Sequence, residues 1–147
     1  MKHEVTFRPV TLDDAEMLLS WRNDALTSQN SINTEPVGLA DHLDWLKKSL
    51  KSSERRLFIA LFDGKPVGAV RIDHSSEGTE LSWTVAPEAR GKGMGSRMVI
   101  GATHLVSDNL IAKIKKTNEA SIQIAKKAGF KLAKESVDMT HWILEKH

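Results

Sequence analysis

Apolar and polar positions along this chain change period several times, and each change marks an element. From Val5 to Val10 they alternate, which predicts a first strand closed by Pro9 and the Thr11-Leu12-Asp13-Asp14 turn. Thr11 is a good N-cap, and Asp14 falls in the first turn of a helix running through Ala15, Leu18, Leu19, Trp21 and Arg22. Asn23 to Val37 is polar, carries Pro36, and reads as a loop. Leu39, Leu43, Leu46 and Leu50 then recur at helical spacing and predict a second helix.

The period changes again at Leu57-Phe58-Ile59-Ala60-Leu61-Phe62, apolar on both parities as a strand buried on both faces should be. Asp63-Gly64-Lys65-Pro66 is a turn, Val67 to Asp73 a return strand, His74 to Gly78 a second turn and Glu80 to Val85 a third strand, so an antiparallel meander is expected. Met94 to Val106 carries Met94, Met98, Ala102, Leu105 and Val106 on one helical stripe. Ile111 to Lys115 is a short strand, and Asn118 to Ala128 a helix closed by Gly129. Phe130 to Leu132 and Thr140 to Leu144 finish as strands. The order β-α-α-β-β-β-α-β-α-β-β predicts an α+β domain, with helices covering both faces of a largely antiparallel sheet.

The length of 147 residues fits one domain spanning 1–147. With 21 basic and 19 acidic residues the net charge is +2, too balanced to argue for a nucleic-acid partner. The absence of cysteine excludes disulfides, thiolate zinc sites and a cysteine nucleophile, and no metal is expected. There is no apolar run of transmembrane length, and Met1-Lys2-His3-Glu4 leads into a strand instead of a signal peptide. A cytoplasmic location without membrane association is therefore expected.

Candidate chemistry concentrates in Val85-Ala86-Pro87-Glu88-Ala89-Arg90-Gly91-Lys92-Gly93-Met94-Gly95, where a strand passes through three alternate glycines into a helix. Glycines let backbone N–H groups approach a ligand closely, and the helix start adds unpaired donors and the positive end of its dipole. Together they make an anion site, suited above all to phosphate. The spacing is not that of a P-loop, nor G-x-G-x-x-G, because Ser96 stands where the last glycine would be.

The order Arg90-Gly91-Lys92-Gly93-Met94-Gly95 resembles the pyrophosphate-binding signature of the GNAT N-acetyltransferases. Asn118 to Phe130 resembles the same family's second signature, one short strand after the glycine-loop helix. The resemblance implies acetyl-CoA as co-substrate, with the backbone of Arg90 to Gly95 cradling its pyrophosphate and Arg90 and Lys92 adding charge. A Cβ at Gly93 would then obstruct phosphate. It places Thr84 and Val85 beside the cofactor and Asn118 against its pantetheine arm. Asn118 also serves equally well as an N-cap. Ser121 lies on the same helix face, and Lys126 and Lys127 could reach the adenosine phosphate.

On the strand Glu80-Leu81-Ser82-Trp83-Thr84-Val85, Glu80, Ser82 and Thr84 share one face. Glu80 lies five residues before Val85, roughly 16 Å along a strand. An extended cofactor arm would therefore bring its thioester toward Glu80, which is a candidate general base for the attacking amine, with Ser82 beside it. Relatives often place a tyrosine in the second-signature helix to protonate the leaving thiolate. That position is Ala125 here, and the chain has no tyrosine. Water, Ser121 or a histidine such as His74 would have to serve.

Trp21-Arg22-Asn23-Asp24 and His42-x-x-Trp45-Leu46 resemble the branch of the family that acetylates nucleotide-linked amino sugars. That implies acceptor contacts from Arg22, Asn23, His42 and Trp45. The same tryptophans, at helical spacing, read equally as core. The expected reaction is direct attack of a primary amine on acetyl-CoA, with an amino sugar or nucleotide-linked amino sugar preferred. A protein N-terminal amine, or a non-catalytic CoA-binding module, remain open. The chain would act as a monomer or homodimer.

Overall fold

The computed structural model describes residues 4–146, so Met1, Lys2 and His3, part of the segment weighed above as a possible leader, lie outside the described residues. Seven strands form one sheet: β1 (Val5–Pro9), β2 (Arg55–Phe62), β3 (Lys65–Ser75), β4 (Gly78–Val85), β5 (Leu110–Lys115), β6 (Lys131–Glu135) and β7 (Met139–Leu144). Their order is β1-β2-β3-β4-β5-β7-β6. Every neighbouring pair is antiparallel except β4 and β5. The helices are α1 (Ala15–Arg22), α2 (Ala25–Asn30), α3 (Leu39–Lys51), α4 (Met94–Ala102) and α5 (Glu119–Lys127). The architecture is the expected α+β arrangement. Among the described residues no helix is long and apolar enough to cross a membrane.

The single parallel pairing shapes the molecule. β4 and β5 are in register only at Thr79 with Leu110 and Glu80 with Ile111. Beyond Glu80 the two strands part, so Leu81 to Val85 keep their pairing to β3 but not to β5. A sheet that opens in this way exposes backbone donors and acceptors along one edge of β4, and such groups need a partner.

Alternation along the paired strands separates two faces. Glu80, Ser82 and Thr84 sit opposite Asp73, Arg71 and Ala69 on β3, and those sit opposite Arg55, Leu57 and Ile59 on β2. Arg55 Nη1 donates to Ser49 Oγ on α3, which places α3 on this face. α4 and α5 lie on the other. There, a Cβ added at Gly68 would meet the Thr84 carbonyl and Met98 Sδ, and one at Gly95 would meet Ile124 Cδ1 and Val85 Cγ2. Gly68 thus lets α4 approach the sheet closely. The buried core runs through Ile59, Val70, Ile72, Leu81, Met98, Val99 and Leu110.

Several sequence-based boundaries move. The segment expected to be a loop from Asn23 to Val37 contains α2, whose N-cap Asp24 accepts a hydrogen bond from the Thr27 N–H. The first helix opens with a 3-10 turn, Leu12–Asp14, in which Asp14 is buried and accepts from the Thr11 N–H and from Arg8. The helix expected to reach Val106 ends at Ala102, with the Thr103 hydroxyl turned back onto the Ile100 carbonyl. Trp21 is core at 5% exposure, whereas Trp45 is half-exposed, so the two tryptophans have different environments.

Candidate active site

Two cavities meet on β4. The first, about 720 Å³, lies between the α3 face of the sheet and the 30–37 segment, bordered by Glu80, Ser82, Arg71, Lys113, His42 and Trp45 among others. The second, about 480 Å³, runs along the glycine loop and the start of α5, bordered by Val85, Arg90, Gly93, Gly95, Gln123 and Lys127 among others. Asn30, Ser31, Trp83, Thr84, Asn118 and Ser121 border both. The split between β4 and β5 is what lets the two communicate.

The glycine loop leaves β4, passes a 3-10 turn at Pro87–Ala89, and enters α4 with Gly93 as N-cap. Gly91 and Gly93 have φ of 76° and 73°, in the left-handed region that favours glycine. The N–H groups at the start of α4 are unpaired donors at the positive end of a nine-residue helix. This backbone fits an anion such as a pyrophosphate. Thr84, Val85, Arg90, Gly91, Gly93, Met94, Gly95, Asn118 and Ser121 all border the second cavity. Lys92 and Lys126 do not; Lys127, one residue round the helix, does. Arg90 does not extend freely, because its Nη2 donates to Asp24 Oδ2 at 2.6 Å and to Thr27 Oγ1 at 2.9 Å.

At the N-terminus of α5, Asn118 Oδ1 accepts from the Ser121 N–H, so Asn118 does cap its helix. Ser121 Oγ accepts from Trp83 Nε1 at 3.2 Å. That bond orients the hydroxyl at the junction of the cavities. Ala125, the position where the resemblance led to the expectation of a tyrosine, is fully buried and packs into the core.

In the first cavity, Glu80 and Ser82 share the face of β4 turned to Arg71. Glu80 Oε1 is 3.8 Å from Lys113 Nζ. Of the four residues expected to touch the acceptor, Arg22, His42 and Trp45 border this cavity and Asn23 does not. Asn23 instead clamps the 30–37 segment, donating to the Val37 carbonyl and accepting from its N–H. Arg22 also holds that segment, through the Asn33 and Glu35 carbonyls. His42 is 5% exposed and stacks on Trp45 with ring centroids 5.7 Å apart. Burial pushes the His42 imidazole down from its ordinary value, partly offset by the backbone of Ala15. His74 belongs to neither cavity; its Nδ1 lies 3.2 Å from Thr79 Oγ1.

Sequence reasoning missed Arg71, Lys113 and Lys115 on the acceptor side. Alternation within β3 and β5 carried a signal for them, since Arg71 shares its parity with Asp73, and Lys113 and Lys115 share that of Ile111. Which parity faces the cavity depends on strand pairing.

An anion cradle at a strand-to-helix turn, opening along a split strand into a second polar cavity, is the layout of a two-substrate transferase. The chain belongs to the acetyltransferase (GNAT) domain family, whose profile matches residues 4–131, and is an N-acetyltransferase. It is 27% identical over 141 residues to spermidine N(1)-acetyltransferase of Escherichia coli K12, covering 90% of this chain and 76% of that protein. It is 22% identical over 143 residues to the acetyltransferase PseH of Campylobacter jejuni, covering 95% and 90% respectively. Among solved structures, aminoglycoside acetyltransferase AAC(6')-Ib with ribostamycin and coenzyme A superposes with a TM-score of 0.83 at 22% identity, covering 95% of this chain and 92% of that one. Spermidine N-acetyltransferase from Vibrio cholerae, in complex with CoA and spermine, gives 0.85 at 16% identity, covering 97% and 96%.

Proposed function

We propose that this chain transfers the acetyl group of acetyl-CoA to the primary amine of a sugar or nucleotide-linked sugar. The observation that carries the acceptor class is charge. Arg22, Arg71, Lys113 and Lys115 border the acceptor cavity against only Asp41 and Glu80, four cations to two carboxylates. A cationic polyamine is repelled by such a lining, whereas a neutral sugar is tolerated and a phosphate-bearing one attracted.

The residues divide the work. The N–H groups of Gly93 to Gly95 hold pyrophosphate, and the open edge of β4 receives the extended arm. Bound acetyl-CoA supplies an activated acyl carbon. Glu80 takes a proton from the acceptor ammonium, directly or through water, freeing the nitrogen lone pair to form the new N–C bond. Backbone N–H groups of the Ser82 to Val85 edge stabilise the oxyanion as the C–S bond breaks. The second proton that the nitrogen loses on becoming an amide passes through the Ser121 hydroxyl, which accepts from Trp83 Nε1, to the departing thiolate, so that CoA leaves as the thiol. A thiolate needs little help, because thiol pKa values lie near 8.5.

The polyamine reading has support in the spermidine acetyltransferase relative. A thiol-release assay against glucosamine, UDP-glucosamine, spermidine and an N-terminal peptide separates the readings. Turnover of an amino sugar, with mass spectrometry giving one added acetyl, is the expected result. Turnover of spermidine alone would overturn the acceptor class and leave the reaction standing.

A further inference from the structure

In the transfer reading above, the cofactor arm enters from one cavity and the amine from the other, so the reacting thioester lies among the residues that border both. Three of these carry a hydroxyl: Ser31, Thr84 and Ser121. Ser31 Oγ donates to the Thr27 carbonyl at 2.7 Å, so its proton is engaged. Among the described residues the Thr84 hydroxyl has no hydrogen-bond partner to set its direction. Ser121 Oγ differs from both. It accepts from Trp83 Nε1 at 3.2 Å and donates to no protein acceptor among the described residues. Its direction is set and its proton is free.

The partner on Trp83 matters because an indole N–H donates and cannot accept. The bond therefore fills one lone pair of Ser121 Oγ, selects the rotation about its Cα–Cβ bond and turns the hydroxyl proton away from the indole. Without such a donor, a serine hydroxyl on a helix can turn back onto a carbonyl of the preceding turn, which removes its proton from the cavity. Both ends of the bond are themselves held. The indole packs on Phe130, with ring centroids 6.3 Å apart and planes tilted by 55°. The first turn of α5 is fixed by the Asn118 cap on the Ser121 N–H. Trp83 and Ser121 are each half-buried, so the pair is open to the cavities it borders.

We infer that Trp83 is a positioning residue for the departure of CoA, its indole N–H holding the Ser121 hydroxyl in the one orientation that presents a proton to the sulfur. This rests on the transfer reading above, and it holds for any acceptor amine, because the leaving step is common to all of them. As the C–S bond breaks, Ser121 Oγ gives its proton to sulfur and takes the second proton of the nitrogen. Ser121 ends as it began, CoA leaves as the thiol, and Trp83 keeps its own proton throughout.

The test is a double-mutant cycle of Trp83→Phe and Ser121→Ala, followed by thiol release from acetyl-CoA with glucosamine, UDP-glucosamine and spermidine as acceptors. Each single variant is expected to lose about tenfold in kcat, the scale of one hydrogen bond, with the calorimetric Kd for CoA little changed. In the Ser121→Ala background Trp83→Phe should cost nothing further, because the group it positions is gone. An equal loss from Trp83→Phe with and without the Ser121 hydroxyl would assign the indole to packing alone and overturn the positioning role, leaving the relay through Ser121 standing. Ser121→Ala at the wild-type kcat would remove the relay and the role of Trp83 with it, while acetyl transfer itself stands. No thiol release by the wild type with any of the three amines would overturn the transfer reading on which both rest. Should Trp83→Phe not fold, the indole N–H resonance of Trp83 is compared between the wild type and Ser121→Ala. Loss of the acceptor should move it upfield; an unchanged resonance would overturn the bond and the inference.

Discussion

Arg90, on the glycine loop, is joined to Asp24, the N-cap of α2, through Nη2 and Oδ2 at 2.6 Å. The loop proposed to hold pyrophosphate is thereby tied to the short helix that ends at Asn30, a residue bordering both cavities. A pyrophosphate in the proposed cradle would compete with Asp24 for that guanidinium. Asp24→Asn keeps a capping oxygen for the Thr27 N–H but weakens the hold on Arg90. Acetyl-CoA should then bind a few-fold more tightly, on the scale of about 1 kcal/mol for a partly exposed ion pair. The acceptor KM should rise as α2 loosens. Calorimetric titration with CoA beside steady-state kinetics checks both; weaker CoA binding would mean that Arg90 acts from Asp24 instead of leaving it.

Among the described residues, Glu80 is the carboxylate that β4 contributes to the acceptor cavity. Glu80→Gln keeps the shape and removes the proposed base. Turnover should fall by about 10²–10⁴-fold. The KM for acetyl-CoA should change little, because the proposed cofactor contacts run from Val85 onward. A kcat within a factor of about three of wild type would assign the proton to water alone.

The elements legible in the sequence are those written locally. An unbroken apolar run marks β2, the turns that follow bound β3 and β4, and the glycine loop and the Asn118 cap are visible because their residues are contiguous. The parting of β4 from β5 is not visible, since it depends on pairing between Glu80 and Ile111, 31 positions apart. α2 is hidden by its polar sequence Ala-Leu-Thr-Ser-Gln-Asn; its stability comes from the Asp24 cap and the distant Arg90. Resemblance suggests Arg22 and Asn23 as acceptor contacts, yet their side chains tie down the 30–37 segment, a non-local task that no spacing rule reveals. Of Lys126 and Lys127, both expected near the adenosine phosphate, Lys127 borders the cavity along the glycine loop and Lys126 does not.

Stability should depend on acid in two separate windows. The folded state holds the His42 imidazole below its ordinary pKa by burial. The unfolded chain therefore binds a proton near pH 6.5 that the folded chain does not, and stability falls as pH drops below about 6.5. Asp14 and Asp24 are held low chiefly by hydrogen bonds from Arg8 and Arg90. Their contribution is complete above about pH 4 and is lost as pH falls further toward their folded values. Scanning calorimetry from pH 8 to 3 should show both declines. His42→Phe should flatten the first and Asp14→Asn the second; a His42→Phe profile parallel to wild type between pH 7 and 5 would move the first to another histidine.

Gly68 and Gly93 should fail differently when given a side chain. At Gly68 a Cβ would run into the Thr84 carbonyl, a backbone atom that cannot step aside, and into Met98 Sδ at 2.5 Å. Gly68→Ala should destabilise by about 1–3 kcal/mol through overpacking. Around Gly93 the space is open, with nothing within 4 Å of an added Cβ, but its φ is 73°. The cost there is conformational, about 1–2 kcal/mol for an alanine and more for a β-branched residue. Obstruction of the phosphate, the effect expected from the sequence, therefore comes with a folding cost, and Gly93→Val is not a neutral probe. Gly93→Ala is the better one. Its loss of CoA affinity should exceed that of Gly68→Ala at equal loss of stability in urea titrations, because of the two only Gly93 lies in the proposed anion cradle. Equal affinities in the two variants would place the pyrophosphate elsewhere than the start of α4.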